Sequence, residues 1–305
     1  MLGGICRAFG REPSPELEIT VECNPTSFDR DRARALLDVG VNRVSIGVQS
    51  LDAQRLAFLG RLHDVDGGLT ALRDAVQAGV PRVSADLIFG VAGQSPEDAV
   101  REVTRVASLG PTHVSAYALT IEPGTEFGAL AKKGKLPLLS DDCVADSLIA
   151  VAEGLGMLGF EHYEISNYAK GGHYSLHNLG YWTGRDYLGL GCGAWGTLTL
   201  DGRRERYRNT PSPERYSSQQ AVESVREPID AETAMRERLM LGLRLRDGLD
   251  IDEAARELGL EAWTPERRRA AERLERSGRL ATDRGRIWIP EASWRVADGI
   301  IAALI

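Results

Sequence analysis

Val83-Ser84-Ala85-Asp86-Leu87-Ile88-Phe89, closed by Gly90 and followed by Ser95-Pro96-Glu97-Asp98, is the stretch that decides the fold. The first run reads as a short strand rich in apolar and β-branched residues. The serine, the proline behind it and the two acids then open a helix, because they satisfy or complement its unpaired N–H groups. Similar strand-like runs stand at Glu18-Ile19-Thr20-Val21-Glu22, Arg43-Val44-Ser45-Ile46-Gly47-Val48, His113-Val114-Ser115-Ala116-Tyr117-Ala118-Leu119 and Phe160-Glu161-His162-Tyr163-Glu164-Ile165. Between them, residues 29–38 and 66–78 carry apolar positions at helical spacing and stop at Gly40 and Gly79, and Gly110 marks a third helix-to-strand turn. Alternating strands and helices imply a parallel sheet faced by helices. Polar residues after successive strands suggest a full or partial (β/α) barrel, whose working face is the carboxyl end of its strands.

With 305 residues, 43% of them apolar, the chain can bury one large core, or one core and a small satellite. Its 37 basic and 44 acidic residues give a net charge of −7, which excludes a general polyanion binder. No apolar run approaches the ~20 residues of a membrane span, and Met1-Leu2-Gly3-Gly4 lacks the charged start of a secretory signal. A soluble cytoplasmic protein is therefore expected, with peripheral membrane contact at most. Cys6, Cys23, Cys143 and Cys192 lie 17, 120 and 49 positions apart, so they read as isolated reduced thiols with no short ligand spacing.

Residues 171–200 mix Gly, Tyr, Trp and His, and read as a loop-rich site, not a helix. Residues 203–226 are polar and carry Pro211, Pro213 and Ser217-Ser218-Gln219-Gln220, which marks a boundary. The expected organisation is a barrel domain over 1–200 with its ligand loops in 163–200, a linker over 201–229, and a C-terminal domain over 230–305. In the last, helices over 231–246, 251–258 and 265–277 precede a two-stranded ribbon turning at Arg284-Gly285, the order of a winged helix. Between Val225 and Ile305 stand 15 Arg and no Lys against 16 acids, so the basic face of a nucleic-acid reader is missing. Arg267-Arg268-Arg269 reads as a solvated stripe, and covering the barrel's open end is the expected use of this domain.

Glu22 follows a strand and precedes Cys23-Asn24-Pro25, Gln49 ends the second strand, and Asp86 sits inside the third, where Gly90 would let backbone approach a ligand. Any one of these could merely cap a neighbouring helix. Asp86 is harder to dismiss, since it interrupts an apolar run where an unpaired carboxylate is costly.

Five segments in order, Glu22-Cys23-Asn24-Pro25, Arg43 through Ser50, Leu59-Gly60-Arg61, Asp86-Leu87-Ile88-Phe89-Gly90 and Tyr163-Glu164-Ile165-Ser166-Asn167, resemble the radical S-adenosylmethionine (SAM) proteins of the coproporphyrinogen dehydrogenase group. The resemblance covers nearly the whole chain. It implies an α/β fold, a partial (β/α) radical SAM barrel followed by a small winged-helix-like α+β domain. It also implies that Glu22, Gln49, Arg61 and Asp86 contact SAM: carboxylates for the amino and ribose groups, the amide for the ribose, and the guanidinium for the carboxylate. Two subgroups compete. HemW-type heme chaperones bind heme and deliver it to acceptor proteins, whereas oxygen-independent coproporphyrinogen III dehydrogenases decarboxylate porphyrinogen propionates by a SAM-derived radical. Tyr163 through Asn167 and His177-Asn178-Leu179-Gly180-Tyr181-Trp182 look like the chaperones.

On that resemblance His177 is the candidate axial ligand of heme, with Asn178, Tyr181 and Trp182 beside it; the other reading is a loop histidine bonded to backbone. The family commonly has proline where Cys192 stands and histidine where Trp195 stands, so no histidine role carries over there and Cys192 is left as an alternative thiolate ligand. Alanine at 92, where proline is usual, affects only a turn's stiffness. The family's CxxxCxxC segment, whose thiolates hold a [4Fe–4S] cluster, and its GGGTP segment do not occur in the chain. Residues 1–10 resemble the end of the helix before the Glu22 strand. The chain is therefore expected to begin about two βα units late, either from a start codon placed too far downstream or as a true fragment, with no metal ligands of its own. The Ile19 strand would then lie at an open edge, making the chain poorly soluble.

Overall fold

The structure is a computed structural model and describes residues 2–11, 14, 16–218 and 222–305. The chain divides into two compact units, Met1–Tyr174 and Ser175–Ile305.

In the first unit, α1 (Leu2–Ala8) precedes β1 (Thr20–Cys23), α2 (Arg30–Asp38), β2 (Arg43–Gln49), α3 (Ala53–Phe58), α4 (Val65–Gln77), β3 (Arg82–Phe89), α5 (Pro96–Ala107) and β4 (His113–Ala118). Then follow α6 (Glu126–Lys132), α7 (Asp141–Met157), β5 (Glu161–Glu164) and β6 (Asn167–Ala169). The helices start where side chains accept the first free N–H groups: Asp29 caps α2, Asp52 α3 and Asp64 α4. Ser95 and Asp98 make a reciprocal capping box on α5.

The strands form one six-stranded sheet in the order β1-β2-β3-β4-β6-β5, with β1 to β4 parallel, the partial barrel. Alternation along each strand separates two faces. Val44, Ile46 and Val48 on β2, Val83, Ala85, Leu87 and Phe89 on β3, and Val114 and Ala116 on β4 join the helices in a buried apolar core. The intervening positions Ser45, Ser84, Asp86, His113 and Ser115 form a polar face.

An all-parallel sheet is not what forms. The run expected as the last strand forms β5, and β6, just beyond it, pairs back on β5 and inserts antiparallel between β4 and β5. Glu164 makes this turn, its carboxylate accepting from the Ser166 N–H (3.0 Å) and the Asn167 side-chain amide (2.6 Å). Gly90 also departs from expectation. Its φ of +78° turns the chain after β3, and a side chain there would meet Val144 and the Leu119 backbone, so packing alone requires the glycine. β1 lies at the sheet edge, where α1 and the strand leave an apolar groove of about 870 Å³ lined by Leu2, Ile5, Phe9, Leu17 and Val39.

The second unit begins with α8 (Leu176–Trp182), where sequence predicts a loop, and continues through β7 (Trp195–Leu200), β8 (Arg203–Asn209), α9 (Pro213–Ser217) and β9 (Glu223–Pro228). β7, β8 and β9 form an antiparallel sheet, so 201–229 holds two strands where a linker is expected, and the division by packing falls after Tyr174 instead. Arg226 bonds Glu205 across the sheet and Glu223 within its own strand, and Arg206 bonds Glu227 across the sheet and Glu237 in the helix that follows. Gln219 and Gln220, part of the polar boundary stretch, lie outside the described residues.

Then come α10 (Ala231–Gly242), β10 (Leu249–Asp250), α11 (Ile251–Leu258), α12 (Pro265–Arg276), β11 (Ala281–Asp283), β12 (Arg286–Trp288) and α13 (Ala297–Leu304). The order of helices and ribbon expected of a winged helix is present as three helices and the β11–β12 ribbon, to which β10 adds a third strand. α10 stops at Gly242, short of the expected Arg246, and Leu249 lies close enough to that glycine to leave no room for a side chain.

Candidate functional site

The site candidates of the first unit stand on the polar face of the sheet. Asp86 is cradled by hydroxyls: Ser45 donates to its carboxylate at 2.8–2.9 Å, Ser84 at 3.4 Å, and Ser115 also bonds it. Burial pushes the Asp86 carboxyl above its ordinary range, the serines pull against this, and the charge of Glu22 raises it further. The apolar run is thus interrupted by a satisfied acid. Glu22 is exposed and lies in register beside Ser45.

Gln49 ends β2 with φ +66°, a left-handed conformation uncommon for a residue with a side chain, and the β2–β3 register shifts at this point. Its amide lies against Gly47, where a Cβ would come within 2.8 Å of Nε2. Arg61 follows α3, its N–H bonded to the Leu56 carbonyl at 2.9 Å, and its Nε is buried with no hydrogen-bond partner. Glu22 and Asp86 thus share one face and Gln49 lies at the carboxyl end of β2, whereas Arg61 hydrogen-bonds none of these among the described residues.

A hydrogen-bonded row runs on from Asp86. Ser84 Oγ is 2.8 Å from His113 Nδ1, and His113 Nε2 is 2.8 Å from the Tyr163 hydroxyl. Burial, with Arg43 nearby, holds His113 well below its ordinary pKa of 6.5, so the imidazole is neutral. Sequence reading missed Ser45, Ser84, His113, Ser115 and Tyr163 as part of this face. The signal was the period-two spacing of Val44-Ser45-Ile46 and Val83-Ser84-Ala85-Asp86.

The set suits SAM. A carboxylate held by hydroxyls can accept from a diol, an amide at a strand end can bond either partner, and a guanidinium with an unused buried N–H can take a carboxylate. The [4Fe–4S] cluster does not fit in the same way. Among the described residues no three His, Cys, Asp or Glu side chains converge as a metal site, and all four cysteines are free thiols. Burial and Glu22 push Cys23 up to about 11, which keeps it protonated.

In the second unit Ser175 caps α8, accepting the Asn178 N–H at 3.4 Å. His177 is exposed on that helix, not on a loop, with its ring edge-on to Tyr181 at 4.7 Å. Tyr181 is edge-on to Tyr187 at the same distance. Trp182 lies under the Arg244 guanidinium (4.8 Å), and its indole N–H is buried without a hydrogen-bond partner. Cys192 is exposed, and Trp195 lies under Arg208 at 5.5 Å. No helix of the described residues is long and apolar enough to cross a membrane.

Comparison with known proteins finds the radical SAM superfamily over residues 4–105 and the HemN C-terminal domain over 229–296. The chain is 39% identical over 217 residues to the heme chaperone HemW of Escherichia coli, covering 70% of this chain and 55% of that protein. To the heme chaperone HemW of Bacillus subtilis it is 33% identical over 254 residues, 81% of this chain and 66% of that one. The chain spans about half the length of the first of these relatives. Among solved structures, coproporphyrinogen III oxidase (HemN) from Escherichia coli aligns with 99% of this chain and 73% of its own, at a TM-score of 0.78 and 19% identity, a likeness of fold.

Proposed function

We infer that this chain, which belongs to the HemW/HemN-like family of radical SAM proteins, works as a heme chaperone that binds heme and delivers it to acceptor proteins in the cytoplasm. The observation that carries this reading is the identity to heme chaperones, 39% and 33% over most of this chain, where the HemN enzyme offers fold alone. The α8 segment supports it. His177 would face the iron, with Tyr181 and Trp182 as apolar contacts and Asn178 beside them. Arg244 and Arg208, each over a tryptophan, supply forks of the kind that take carboxylates.

In the first unit Glu22, Gln49, Arg61 and Asp86 would hold SAM. Asp86 would accept from the ribose hydroxyls, Gln49 would bond them, Glu22 would meet the amino group and Arg61 the carboxylate. The serines keep Asp86 oriented, and neutral His113 adds no positive charge beneath it.

Titrating the purified chain with heme tests the leading reading. A Soret band that saturates at one heme per chain is expected, and His177→Ala should weaken binding and shift the band. An unchanged band and affinity in His177→Ala would remove His177 as ligand and leave Cys192→Ser as the next variant. Failure to bind heme, with anaerobic conversion of coproporphyrinogen III by a form that carries the family's CxxxCxxC segment, would favour the alternative, an oxygen-independent coproporphyrinogen III oxidase.

A further inference from the structure

We propose that Glu102, on α5, is the positioning residue for Gln49, fixing the orientation in which that amide meets the ribose of SAM; this rests on the reading that Gln49 contacts SAM. A backbone at φ +66° with a side chain persists only where its surroundings over-determine it. Here one carboxylate does so. Glu102 is 7% exposed, and its Oε2 accepts from the Ser50 hydroxyl at 3.0 Å and from the Leu51 N–H at 2.9 Å, the two residues after Gln49. Ser50, fully buried, in turn accepts the Asp52 N–H at 3.2 Å and the Arg55 Nε–H at 3.4 Å. Arg55 ion-pairs with Glu102 and reaches Asp98 at 4.0 Å.

The other flank is tied as well. The Val48 carbonyl lies 3.0 Å from His63 Nε2, and Gly47 leaves the space that the Gln49 amide occupies. Gln49 is therefore held from both sides, and its rotamer is confined by its own strand. Through Arg55 the same carboxylate also anchors α3, whose last turn accepts the Arg61 N–H. A helix more than forty residues downstream in sequence thus sets two of the candidate SAM contacts.

The test compares Glu102→Ala and Glu102→Gln in the full chain by NMR and by SAM titration. Glu102→Gln keeps an acceptor for the Leu51 N–H, so the Gln49 backbone coupling and side-chain amide resonance should stay close to the parent's. In Glu102→Ala both should move, and SAM binding should weaken about tenfold. In a Gln49→Ala background the second change should cost clearly less than it does alone, leaving only the share that reaches SAM through Arg61. Gln49 resonances unchanged in a folded Glu102→Ala protein, or losses that multiply in the double variant, would overturn the proposal. If Glu102→Ala does not fold, Arg55→Ala, which removes the cation paired with Glu102 and its bond to Ser50, must displace the same Gln49 resonances or the proposal fails. A parent chain that does not bind SAM would sink the SAM reading, while the resonances would still decide whether Glu102 holds Gln49.

Discussion

The two units differ in how they carry charge. Residues 1–174 hold 16 basic and 23 acidic side chains, while residues 175–305 hold 21 of each, so the whole net charge of −7 sits in the first. Every basic residue of the second unit is an arginine, and the four lysines are all in the first. The first unit's site is a sheet face with Glu22 and Asp86 and a neutral histidine, suited to a cationic ligand such as a sulfonium. The second unit's candidate residues are aromatic rings under guanidinium groups, suited to an apolar ring system with carboxylates at its rim. One chain thus presents two surfaces of opposite electrostatic preference, as the proposal of a SAM site in one unit and a heme site in the other requires.

The largest effect expected is on independence. A Cβ at Gly196 would come within 2.3 Å of the Tyr207 ring, whose hydroxyl accepts the Gly189 N–H at 2.9 Å. Gly196→Val should destabilise the second unit by about 3 kcal/mol and leave the first unit's hydrogen-exchange protection unchanged. Loss of protection in both units together would show that they fold as one.

A smaller effect separates the units by pH. His113 has its folded pKa below the ordinary 6.5, so the unfolded chain binds the extra proton first as pH falls. The first unit should lose stability below about pH 6.5, by at most ~1.4 kcal/mol per pH unit from this group, until its folded pKa is reached. Asp86, raised by burial, works the other way: its ionised form is disfavoured in the fold, so its destabilising contribution fades as pH falls through its folded value. His113→Gln should flatten the loss that begins near pH 6.5 in a denaturant series, and Asp86→Asn should raise stability at neutral pH. An unchanged slope in His113→Gln would mean that the row beneath Asp86 does not hold a neutral imidazole.

The smallest effect tests the charge contrast itself. Raising salt from low to physiological strength should weaken SAM binding by about twofold, the scale of screened surface fields. Binding indifferent to salt would leave the first unit's negative charge without a role in ligand choice.

Much of this was legible in the sequence, and the gaps have physical causes. The Ser95-Pro96-Glu97-Asp98 start and the β-branched runs located β2, β3 and β4 to within a residue or two, since caps and alternation are local. α8 was hidden because Gly180, Tyr181 and Trp182 have modest helix propensity, although Ser175 was a usable cap signal. β8 and β9 were read as linker because their sheet is held by Arg–Glu pairs, which leave no apolar alternation to see. For the site, Glu22, Gln49, Arg61 and Asp86 were nameable from the resemblance, while Glu102 and His113 were not. Their importance arises from pairings such as Ser84 with His113, between elements that no short window joins.

The strand β6 has a consequence for how the first unit comes together in time. β5 and β6 are separated by two residues and can pair locally, whereas β6 meets β4 only across a loop of about fifty residues, Ser115 opposite Asn167. Closing such a loop is slow compared with zipping a hairpin. The folding chain is therefore expected to form the β5–β6 hairpin before closing it onto the edge of β4.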